Sequence, residues 1–184
     1  MKNVTLIIIG ILALIIVALS LMKPQAVTKK AALEKGISQQ EAVVKKTGFK
    51  TAPEFALKDI FGAERKLSDF KNKVVIINFW VTWCPSCRTG IAHFVDLYNQ
   101  YKDQGLEIIG IALDFRGEKI VPAFASKNNI NYTILLGNEE TGDLYGGIAA
   151  IPTTFIIDKD GYIRKKYIGY NEKTVFENDI KELL

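Results

Sequence analysis

The run KVVIINFW at residues 73–80 is the strongest constraint on what this chain can fold into, because it is apolar on both faces, as a central strand covered from both sides must be. Such a strand needs paired neighbours in a sheet and further elements over each face. It leads directly into NFWVTWCPSCRTG, residues 78–90, which holds both cysteines of the chain, Cys84 and Cys87. A C-x-x-C spacing serves metal binding, structural cross-linking or redox exchange, and its surroundings decide which.

Past Cys87, the residues Ile91, Phe94, Val95, Tyr98 and Tyr101 recur at helical spacing, and Gly105 stops the helix. LEIIGIAL (106–113) reads as a second buried strand, and EKIVPAFASKNN as a helix that Pro122 starts or kinks. YTILLG is a third strand, TTFIIDKDGYIRKKYIG a hairpin about an Asp-Gly turn, and EKTVFENDIKELL an amphipathic closing helix. Upstream, EFALKDIFG and RKLSD read as short strands or a hairpin around Gly62. The pattern is α/β, with strands alternating with helices before a final hairpin. At 184 residues, 48% hydrophobic and 24% charged, the chain can bury one good core with appendages. Its 24 Lys and Arg against 20 Asp and Glu leave a net charge of +4, spread too evenly to suggest a nucleic-acid partner.

Residues 4–21, VTLIIIGILALIIVALSL, carry no charge and would make about 27 Å of helix, close to the thickness of a bilayer core. A secretory signal has a shorter apolar core and a small-residue cleavage site, for which only ALS at 18–20 offers itself. The reading is therefore an uncleaved single-pass anchor over 1–22, a solvated basic tether over 23–50 and a globular domain over 51–184. Lysines flank both ends of the apolar run, so charge does not choose its orientation.

Two cysteines in a β-α-β context point to a redox dithiol, since a structural zinc site needs two further ligands and His93 is the only histidine. Helical spacing puts His93 opposite the apolar stripe, as a surface residue, and puts Cys87 on the stripe. Cys84 stands at the mouth of the helix, where free amides and the helix dipole stabilise a thiolate, with Pro85 suited to the first helical position. Cys84 is thus expected to attack and Cys87 to resolve. Arg88 reads as a solvated arginine that adds little positive potential.

NFWVTWCPSC, followed about 65 residues later by IPTTFIIDKDG, resembles the thioredoxin superfamily, and more closely its membrane-tethered TlpA/ResA-like branch. APEFALKDIFG, KLSDFKNKVVIINFW and ALDFRGEKIVPAFASKNN look like their counterparts there, so the resemblance spans residues 53–184. It implies a thioredoxin-like fold, with a four- or five-stranded mixed sheet flanked by helices. It also implies a cis peptide at Ile151-Pro152 beside Cys84, and Trp83 on the surface as an apolar contact for partners. The implied activity is thiol-disulfide exchange with no cofactor or metal beyond the Cys84–Cys87 pair. An anchored domain of this kind is expected outside the cytoplasm, where partner cysteines become oxidised and a tethered reductant, itself re-reduced by an integral-membrane thiol carrier, can restore them; the resemblance suggests apocytochrome c or another exported protein as the substrate. Nothing demands more than a monomer.

Two positions depart from the pattern. Where thioredoxin has a buried acid before the Phe-Trp pair this chain has Asn78, and where TlpA/ResA-like proteins often have a glutamate and then a proline it has Gly90 and Ala92. The base for Cys87 is thereby left unassigned. A disulfide oxidase or isomerase would use the same dithiol at a higher potential. A peroxiredoxin is disfavoured because Val81, not threonine, stands three residues before Cys84, Thr82 being one residue too close. A Cu(I)-binding module would use soft thiolates, but its relatives space the cysteines more widely and add a distant histidine.

Overall fold

The computed structural model describes residues 48–184. The apolar run at 4–21 and almost all of the basic tether lie outside the described residues, among which no helix is long and apolar enough to cross a membrane.

The frame is a six-stranded mixed sheet. Strands β4 (Val74–Trp80) and β5 (Leu106–Ala112) are parallel neighbours, with β6 (Thr133–Leu136) parallel on the far side of β5. On the other side of β4 run β7 (Thr153–Ile157) and β8 (Tyr162–Ile168), both antiparallel to their neighbours, and the two-residue β1 (Lys50–Thr51) pairs with the start of β8. That short edge strand raises the count above the four or five expected. It is too brief to leave a periodic signal in the sequence.

All seven residues of both β4 and β5 are buried, which explains why the two strands are apolar but for Asn78 and Glu107. Strand alternation sends Val74, Ile76 and Trp80 into one apolar cluster and Val75, Ile77 and Phe79 into the other. The first cluster is closed by helix α1 (Pro85–Tyr101), α2 (Gly117–Lys127) and the C-terminal α4 (Lys173–Leu183). Phe94 of α1 meets Phe176 of α4 at a ring separation of 5.1 Å, and the Tyr101 hydroxyl donates to Glu177 at 2.7 Å. The second cluster is closed by Phe55, Leu57 and Tyr145, the last at the end of a short helix α3 (Glu139–Leu144). Fully burying each such large apolar side chain contributes roughly 1.5–3 kcal/mol.

Some expectations change in detail. RKLSD is strand only at its start: β2 (Ala56–Lys58) and β3 (Glu64–Lys66) form the hairpin, and Leu67–Phe70 then coils into a 3-10 turn. Leu97, absent from the expected stripe, is fully buried, whereas Val95 and Tyr98 are partly buried. Of the two roles offered for Pro122, starting or kinking its helix, the first is excluded, since it lies inside α2. Helix α3 has no counterpart in the sequence reading, being too short for periodicity; its marker is Asn138, whose side chain accepts from the Thr141 amide at 2.8 Å.

One glycine is a steric requirement of this core. At Gly110, paired with Asn78 across the sheet, a Cβ would come within 2.9 Å of the Trp80 indole nitrogen. The missing side chain leaves room for that ring.

Candidate active site

Strand β4 ends at Trp80, and the chain turns through Val81, Thr82 and Trp83 into α1. Cys84 is the N-cap of the helix, with extended backbone (φ −83°, ψ 117°), and Pro85 occupies the first helical turn. The Cys87 amide donates to Cys84 Sγ at 3.2 Å, and Ser86 Oγ lies 3.2 Å from the same sulfur. Capping is therefore done by sulfur, in the role an Asp or Ser oxygen usually fills. Cys84 and Cys87 pair as a disulfide with Cα atoms 5.2 Å apart. Both are buried, Cys87 at 2% exposure within the same apolar cluster as Ile91 and Phe94.

Trp83 projects outward at 68% exposure, the largest apolar surface next to the dithiol in sequence. The Ile151-Pro152 peptide is cis. Pro152 and Cys87 line one narrow cleft, and Ile151 packs on the cluster that contains both cysteines. Cys87 and Pro152 are thus brought into one cleft, while Trp83 and Pro85, the sequence neighbours of Cys84, are exposed.

The walls of that cleft include Asn78, Thr154, Gly90 and Tyr170. Asn78 is buried and donates from Nδ2 to Thr154 Oγ1 at 3.0 Å, so this amide is satisfied by a neutral partner. No carboxylate lines the cleft among the described residues. Tyr170 has its phenol raised above the ordinary value, first by desolvation and then by a hydrogen bond to Glu172. His93 is not the surface residue expected: it is half-buried, its ring 5.8 Å from that of Tyr170, because the chain after β8 covers this flank of α1.

Gly90 lies buried beside the cleft, yet a Cβ there meets nothing within 4 Å. Close backbone approach is therefore not what requires glycine. Gly90→Ala is expected to stabilise the domain by about 1 kcal/mol through helix propensity, a gain to be read by denaturant titration. A loss of stability instead would mean that the gap beside Cys87 is needed.

Sequence reading also passed over Asp114. It is 8% exposed, just past the end of β5, and its carboxylate takes three hydrogen bonds from Thr82. The available signal is one of register: Trp80 and Ala112 are paired, so Thr82 and Asp114 each stand two residues beyond adjacent parallel strand ends.

Fold and dithiol together define a thioredoxin-like thiol-disulfide oxidoreductase. The chain belongs to the AhpC/TSA family, whose model matches residues 49–166. Over 134 residues it is 34% identical to the thiol-disulfide oxidoreductase ResA of Geobacillus thermodenitrificans, covering 73% of this chain and 74% of that protein. It is 32% identical over 133 residues to the thioredoxin-like protein YneN of Bacillus subtilis, covering 70% of this chain and 76% of that one. Among solved structures, a thiol:disulfide interchange protein of the thioredoxin family from Chlorobium tepidum superposes with a TM-score of 0.68 at 28% identity, over 73% of this chain and 96% of that one.

Proposed function

We propose that this protein is a membrane-tethered, extracytoplasmic reductase of disulfides in exported proteins, working through Cys84 and Cys87. The observation that carries thiol-disulfide exchange, with Cys84 as the attacking thiol, is its sulfur capping α1 and accepting the Cys87 amide at 3.2 Å, an environment that favours thiolate over thiol. In the reduced enzyme the Cys84 thiolate attacks one sulfur of a substrate disulfide. That S–S bond breaks, a Cys84–substrate disulfide forms, and the other substrate sulfur leaves as a thiolate. Cys87 loses its proton and attacks Cys84 Sγ, releasing the second substrate thiolate and closing the Cys84–Cys87 bond. Two electrons pass to the substrate, whose thiolates take up two protons.

Trp83, Pro85, Ile151 and Pro152 form the surface that a substrate chain meets on its way to Cys84. The uncharged run at 4–21 and the basic segment after it support a membrane anchor and tether. An oxidising exterior supplies disulfides to reduce, and an integral-membrane thiol carrier supplies the electrons. The resemblance to TlpA/ResA-like proteins suggests apocytochrome c among those substrates.

The deciding measurement is the reduction potential of the dithiol in thiol buffers. A value near or below about −270 mV is expected for a reductase; a value near −120 mV would make the protein a disulfide oxidase built on the same cysteines.

A further inference from the structure

We propose that Asp114 is a positioning residue for the dithiol, acting through Thr82 to hold the turn that presents Cys84. Asp114 Oδ1 accepts the Thr82 hydroxyl at 2.6 Å, and both carboxylate oxygens accept the Thr82 amide, at 3.1 and 3.0 Å. On its other side, the Thr82 carbonyl accepts from Arg88 Nε at 2.7 Å. Arg88 is anchored in turn, its guanidinium 5.7 Å from the centre of the Phe124 ring. Every polar group of Thr82 is therefore fixed from outside the turn. Cys84 follows two residues later, and its own amide donates to Val81 at 3.4 Å. The brace ties the end of β5 to the first turn of α1 through Thr82.

This arrangement has a definite chemical sense, granted the exchange reaction proposed above. Fixing the turn pre-organises Cys84 over Cys87, which favours the closed disulfide over the open dithiol. The formal negative charge of Asp114 beside the turn disfavours a second negative charge at Cys84, which again disfavours the reduced form. Both effects act in one direction. Breaking the brace shifts the equilibrium towards the dithiol and makes the protein more oxidising.

The test equilibrates the full-length protein with reduced and oxidised glutathione, traps free thiols, and compares Asp114→Ala, Thr82→Val and Thr82→Ser with the unaltered protein. Asp114→Ala and Thr82→Val are expected to lower the equilibrium constant for disulfide formation at least tenfold, equal to about 30 mV. Thr82→Ser keeps the hydroxyl donor and is expected to remain within twofold. Glu107→Ala serves as the control for stability alone. That buried carboxylate pairs with Lys73 at 2.9 Å near the start of β5, roughly 20 Å of strand away from Asp114, and is expected to lower stability without moving the constant. If the Asp114 and Thr82→Val variants lose only stability, as Glu107→Ala does, the positioning role is overturned. Failure of the unaltered protein to exchange with glutathione at all is a different outcome and overturns the oxidoreductase mechanism itself.

Discussion

Replacing Cys87 by alanine is expected to stop turnover after the first half of the exchange. Cys84 still caps α1 and can attack a disulfide, but nothing remains within reach to displace the substrate from it. The variant therefore accumulates a Cys84–substrate adduct, and its steady-state rate falls at least roughly a hundredfold, as it does when one member of a concerted set is removed. The structural cost is small by comparison: one buried sulfur is lost from the cluster around Ile91 and Phe94, worth about 1 kcal/mol. Mass spectrometry after incubation with a disulfide-linked peptide reads the adduct directly. Cys84→Ala is expected to form none. An adduct on Cys87 in that variant would reverse the assignment of attacking and resolving thiols.

Asn78→Asp is the second large effect. The new carboxyl would replace an amide that is 3% exposed and donates to Thr154 Oγ1, in a cleft with no cation among its lining residues. Desolvation raises its folded-state pKa above the unfolded value of about 3.9. The sign follows from linkage: between those two values the folded state holds the proton and the unfolded state does not, so stability falls as pH rises. The variant should match the parent at pH 4 and lose on the order of 3 kcal/mol by pH 8, as read by denaturant titration at each pH. The same carboxylate, beside Cys87, gives its proton somewhere to go, so the resolving step should quicken even as the fold weakens. A variant equally stable at pH 4 and pH 8 would show that water reaches Asn78 freely.

The uneven legibility of this chain has physical causes. Strands β4, β5 and β7 are readable because burial on both faces demands mainly apolar runs, and the start of α1 is readable because Pro85 and the cysteines mark it. Residues whose neighbours are close in sequence are likewise readable, which is why Cys84 and Cys87 stand out. Asp114 was hidden because its partner is 32 positions away and is reached only once β4 and β5 lie side by side. The half-buried setting of His93 was hidden for a similar reason, since Tyr170 arrives from beyond β8. Helical phase locates the face of a residue and says nothing about what a distant segment lays over it.

Burial of both cysteines in the main apolar cluster also ties electron transfer to folding. The oxidised and reduced proteins, folded and unfolded, make a closed four-state cycle, so the potential of the folded dithiol differs from that of the unfolded chain by the difference in stability between the two redox forms. A reductase should unfold at higher denaturant concentration when oxidised. A strong oxidant should do the opposite, because its fold favours the open thiols. Two denaturation curves, recorded with no substrate present, therefore report the direction in which electrons run through this site.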